Sequence, residues 1–155
     1  TSPHSYNVIQ ARNIKASTIT GTEIDFTTFT ATGYNETTIA LNNSGQDICS
    51  LTIPSDGDYL IDGIVRVSST GSTSATRNCW NQFTKTGTGT FSHSSEVGFA
   101  MNVQSGAVGC IATIPLKNVL KNAKAGDTVT LRSRTNRSTS DISAALGVIS
   151  AIRIG

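Results

Sequence analysis

With 155 residues, only 14% of them charged, and a net charge of +2, this chain lacks the basic field that nucleic acid or an anionic membrane surface would select. The length suits one domain, able on folding to hide roughly two-thirds of its unfolded surface. No window is apolar enough to span a membrane, and no signal-like hydrophobic run opens the chain.

Residues 1–22 read as an extended arm. Val8, Ile9, Ile14 and Ile19 are scattered among polar residues and Arg12 with neither a helical nor a strand period. Such an arm suits docking on a neighbouring protein, or completion of the domain's own sheet. The arm ends where a persistent β signal begins, giving a domain over 23–155. Ile24, Phe26 and Phe29 lie in a Thr-rich run ending at Gly33. Residues 37–41 form a short strand before the turn 42–45, and Cys49, Leu51 and Ile53 alternate against Ser50 and Thr52.

Pro54 then breaks the ladder, and Ser55-Asp56-Gly57-Asp58 supplies turn chemistry. The strand that follows puts Tyr59, Ile61, Gly63, Val65 and Val67 on a core face. Leu60, Asp62, Ile64 and Arg66 fall on a second face that mixes apolar and charged residues. Residues 68–74 read as a loop, 77–83 as a strand carrying Trp80, and 85–95 as a long exposed loop. Strands follow at 97–103 and 109–116. Leu116, Val119 and Leu120 have i, i+3, i+4 spacing, which allows one or two helical turns over 116–124, with Gly126 as a stop. Residues 128–134 alternate as a strand, and the small, apolar tail 142–154 predicts a buried central strand. Strands this short and numerous predict an all-β fold, an antiparallel two-sheet sandwich of the jelly-roll kind.

Few side chains carry chemistry. Cys49, Cys79 and Cys110 are far apart and odd in number, which reads as buried thiols with room for one bridge, and not as a zinc set. His4 and His93 are distant, and no Gly-x-Ser-x-Gly surrounds any serine, so no catalytic residue is assigned. No cofactor is expected. Asp56 and Asp58 are the weak candidates for a hard cation, although turn capping explains them as well. Arg132, Arg134 and Arg137 make a candidate contact surface for an acidic or glycan partner, or else a solvated face or partners for carboxylates of an adjacent subunit.

Two segments resemble the trimeric jelly rolls of the tumour necrosis factor and complement globular-head superfamily. One is Pro54-Ser55-Asp56-Gly57-Asp58-Tyr59-Leu60-Ile61; the other runs from Leu120 through Ala125-Gly126-Asp127-Thr128-Val129-Thr130-Leu131. The tail Ala144-Ala145-Leu146-Gly147-Val148-Ile149 sits where that family has its last core strand. The sparse aromatics depart from the animal members, and the Ser/Thr/Asn-rich surface resembles phage capsid-decoration and fibre-head proteins. The resemblance implies a homotrimer without enzymatic activity, with Leu60, Ile64, Leu146 and Val148 as interface candidates. It implies a structural protein at a virion surface, cementing a capsid by docking Val8, Ile9, Arg12, Ile14 and Ile19 of the arm on the major capsid protein. The alternatives are a tail-fibre receptor-binding head that recognises host surface glycan, and a secreted ligand-like head.

Overall fold

The computed structural model describes residues 29–69, 75–94, 96–103, 111–136 and 141–155, so the arm expected over 1–22 with its candidate docking residues, Cys110 and Arg137 lie outside the described residues. Ten strands form: β1 (Thr30–Asn35), β2 (Ile39–Ala40), β3 (Gln46–Thr52), β4 (Gly57–Ser69), β5 (Ala75–Thr86), β6 (Thr90–Phe91), β7 (Glu96–Val103), β8 (Ile111–Ala123), β9 (Thr128–Thr135) and β10 (Ile142–Arg153). Among the described residues there is no helix.

The strands make two antiparallel sheets. The larger has the order β1-β10-β4-β8-β6, with β2 also on β10, and the smaller has the order β3-β9-β5-β7. Chain order crosses repeatedly from one sheet to the other, so neighbours within a sheet are distant in sequence. The tail strand β10 lies between β1 and β4, as its apolar sequence predicts.

Alternation along β4 builds the core. Tyr59, Ile61, Val65 and Val67 are fully buried between the sheets, against Leu51, Leu120, Leu131 and Ile149. Tyr59 also anchors the preceding turn: its hydroxyl donates to the Ser55 carbonyl at 2.9 Å and shares a bond with Ser55 Oγ at 2.9 Å. Gly63 is required by its opposite number, because a Cβ there would stand 2.6 Å from Phe83 Cε1.

Two sequence expectations are corrected. The helical alternative over 116–124 is instead the last part of β8, paired with β4 from Leu116↔Gly63 to Leu120↔Tyr59. Leu116 and Leu120 face the core while Val119 faces outward, so two apolar faces of one strand mimic a helical period. The exposed loop expected over 85–95 is shorter. β5 continues to Thr86, β6 pairs Thr90↔Lys121 and Phe91↔Leu120, and Gly89 is buried against Leu120.

The edge at β8 ends on a side-chain cap. Ser92 N donates to the Val119 carbonyl, and the Val119 N–H is then taken by Asn118 Oδ1 at 2.8 Å while Asn118 Nδ2 reaches the His93 carbonyl. Val119 therefore turns its backbone groups away from β4, and so does Pro115, four residues before it. The missing N–H of Pro115 lies on the free edge, where it removes no bond from the β4–β8 ladder.

Candidate interaction surface

The register of the larger sheet sorts its outer face into rows. Tyr34, Val148, Ile64 and Pro115 stand side by side on β1, β10, β4 and β8. Two residues along the strands, a polar row runs Thr32, Ser150, Asp62, Lys117. Beyond it lies a second apolar row, in which Ile152, Leu60 and Val119 follow Thr30. Tyr34 is 74% exposed, Ile152 50%, Ile64 43% and Val148 38%, while Leu60 and Leu146 are half-buried. All four interface candidates from the sequence thus share this face. Ile64 is directly opposite Val148, and Leu146 is opposite Arg66. Asp62 and Lys117 pair at 3.1 Å at the β4–β8 end of the polar row.

Sequence reasoning missed Tyr34, Pro115, Val119 and Ile152 on this face. Each carries the right chemistry, but only the cross-strand register joins four separate segments into rows.

The outer face of the smaller sheet is mostly polar, with Trp80 and Ala100 as its apolar side chains. Hydroxyl pairs cross its strands, Ser50 with Thr130 at 2.7 Å and Thr86 with Thr128 at 2.6 Å. The next row holds Asp47, Arg132, Gln82 and Glu96. Arg132 donates to Asp47 at 3.0 Å and to the carbonyls of Ser44 and Gly45. Arg134 pairs with Glu96 at 3.2 Å and lies over the Trp80 ring, 4.3 Å from its centroid. The indole in turn covers Gly98, where a Cβ would be 2.9 Å from Cδ1 and Nε1. Both arginines are matched charge for charge, Arg132 by an acid of the neighbouring β3 and Arg134 by one of β7, across β5.

At one end of the sandwich the turns are clamped by carboxylates. Asp56 accepts from Lys124 Nζ at 2.8 Å and from Ala125 N at 3.0 Å, so its pKa falls below the usual value through the lysine and the backbone bond. Asp58 accepts from the N–H of Asn122, a residue at φ 54. Asp127 is nearly buried, and its Oδ2 takes the N–H groups of Gly89, Lys124 and Thr88. Those bonds hold its carboxyl below the usual carboxylate range. The residues weighed for a cation are thus engaged as turn clamps. Among the described residues no group of three or more His, Cys, Asp or Glu is arranged to hold a metal.

No protein-family model matches the chain, and a search of curated proteins finds no relative. Among solved structures, the sandwich is similar to a chain in the structure of the tripod from the baseplate of bacteriophage Tuc2009. The TM-score is 0.50 at 12% sequence identity, over 93% of this chain and 75% of that one. At that identity the likeness is one of fold.

Proposed function

We propose that this chain is a non-enzymatic structural module of a phage virion. It assembles as a homotrimer through the outer face of its larger sheet and presents the polar face of its smaller sheet to the host. The carrying observation is the pair of apolar rows, Tyr34-Val148-Ile64-Pro115 and Ile152-Leu60-Val119, on one face of a two-sheet sandwich. A face that exposes two apolar rows on either side of an internally paired polar one suits contact with other copies better than contact with water. The strand order, in which the chain passes from one sheet to the other at β3–β4, β4–β5, β7–β8, β8–β9 and β9–β10 while β5 and β7 pair within the smaller sheet, supports the jelly-roll reading.

Likeness to a chain of a phage baseplate tripod supports a place at the tail over cementing a capsid, and the host partner we assign to the module there is a surface glycan. The hydroxyl, amide and paired-charge groups around Trp80 suit a neutral saccharide, whose hydroxyls need donors and acceptors and whose ring carbons need an aromatic partner. Capsid docking rests instead on residues 1–22. Two measurements test the assignment. Sedimentation of the purified chain at micromolar concentration is expected to show a trimer that Ile64→Lys dissociates; a monomer at all concentrations overturns it. Quantitation on intact particles is expected to give tail stoichiometry, whereas lattice stoichiometry would assign the chain to the capsid.

A further inference from the structure

Resting on the self-assembly reading above, we infer that Glu36 of one copy pairs with Arg66 of the next, and that this ion pair sets the register of the interface. Among the described residues every carboxylate but one has a partner. Asp47, Asp56, Asp62, Glu96 and Asp141 are ion-paired, while Asp58 and Asp127 take backbone N–H groups. Glu36 has none. Of the cations, only Arg66 and Lys121 lack a hydrogen bond, an ion pair or a ring contact. Lys121 sits at the far end of β8, eight residues from Thr113, the neighbour of Arg66.

The free acid and the free base occupy matching places. Arg66 is exposed on the outer face, in the row of Leu146. Glu36 is exposed one residue beyond β1, next to that same row, because Asn35 pairs with Gly147. The Asn35 side chain brackets it: Oδ1 accepts from Thr37 N at 3.1 Å and Nδ2 donates to the Thr37 carbonyl at 2.8 Å, which fixes a turn with Glu36 at its apex. Within one copy the strand β10 separates the two, so they do not pair.

Symmetry then supplies the complement. β1 and β4 both run antiparallel to β10, so β1 leaves Tyr34 and enters the turn at Glu36 in the same direction in which β4 steps from Ile64 to Arg66, roughly 7 Å further on. A rotation about an axis parallel to the strands leaves that direction unchanged. When the β1 edge of one copy meets the β4 face of the next, Tyr34 over Ile64 therefore carries the Glu36 turn toward Arg66, within reach of two long side chains. The Asp62–Lys117 pair is satisfied within each copy and enters the contact already neutral. A slip of two residues would instead set Glu36 over Ile64 and leave Arg66 without its acid.

Charge reversal separates this pairing from the assembly itself. Wild type, Glu36→Arg, Arg66→Glu and the double variant are compared by sedimentation velocity across a dilution series, with thermal melting as a check on folding. The expected result is a tenfold or greater rise in dissociation constant for each single variant, and a return to within a few-fold of wild type in the double. Single variants as tightly associated as wild type, or a double no better than the singles, overturn the pairing while leaving assembly intact. A wild-type dimer with the same rescue supports the pairing and overturns the count of three. A wild-type monomer at every concentration overturns both.

Discussion

Asp127 Oδ2 accepts the backbone N–H of Gly89 at 3.0 Å, joining the turn before β9 to the connection between β5 and β6. The same oxygen takes Thr88 N at 3.2 Å and Lys124 N at 3.1 Å, so one carboxylate satisfies three backbone donors. Gly87, at φ 97, leaves the room for it, since any side chain there would strike the Asp127 carboxylate. Gly126, at φ 91, turns the chain so that its N–H reaches the Ile53 carbonyl, and Ile53 N returns a bond to the Asp127 carbonyl. Replacing Asp127 by Ala leaves three donors without their charged acceptor. The expected loss is roughly 2–3 kcal/mol, read from the midpoint of a urea titration.

That clamp also gives the fold an acid limit. The folded pKa of Asp127 is lowered, so its contribution is fully present above the unfolded value of 3.8 and is lost as pH falls through the folded one. Unfolding free energy measured from pH 7 down to pH 3 is expected to decline. The decline should be shallower in Asp127→Asn, which has no proton to gain; equal slopes would remove Asp127 from the account.

An alkaline limit has the opposite sign. Burial pushes the Cys49 thiol up to about 11, and burial followed by the nearby Asp141 charge pushes Cys79 up to about 11. Both are free thiols. A raised folded pKa stabilises the fold below the unfolded value of 9.0, and that stabilisation is lost as pH climbs through about 11. The thiolate is the reactive form, so neither cysteine should react readily at neutral pH. In a Cys110→Ser variant, a chromogenic disulfide reagent at pH 8 is expected to find two thiols only after denaturation.

Much of this was legible in the sequence, wherever one segment decides its own structure. The turn 55–58, the buried face of β4 and the reversal at Gly126-Asp127 follow from local turn chemistry and a two-residue period. Rows of side chains do not. Tyr34 and Pro115 are 81 positions apart in sequence, and only register places them in one apolar row. The same blindness produced the helix-like reading of 116–124, where Val119 belongs to the outer face and Leu116 and Leu120 to the core. Arg132 and Arg134 looked like free charge because Asp47 and Glu96 come from other strands.

Gly63 tests the packing between sheets. Its Cα faces Phe83, with Leu131 Cδ1 a further neighbour at 3.4 Å from an added Cβ. Phe83 is itself nearly fully buried, so the ring has little freedom to retreat. Gly63→Ala is expected to cost about 1–3 kcal/mol by overpacking. Gly63→Ala combined with Phe83→Leu should recover part of that loss in thermal melting; if the double falls as far as the sum of the singles, the ring is not the obstacle.

Pro115 tests how the open edge is protected. Backbone groups of β8 alternate in direction, and Val119 points its carbonyl at Ser92, away from β4. Pro115 shares that direction, so the β4–β8 ladder loses nothing to the missing N–H, while an arriving strand would find no donor there. Pro115→Thr restores the donor and supplies a residue that favours strands. The fold itself should change by no more than about 0.5 kcal/mol, as for other exposed positions. Association beyond the wild-type oligomer, followed by light scattering over a concentration series, is expected to rise, because the edge then offers a continuous ladder. Scattering that matches wild type would mean that the Asn118 cap and the loop at His93 guard this edge without help from the proline.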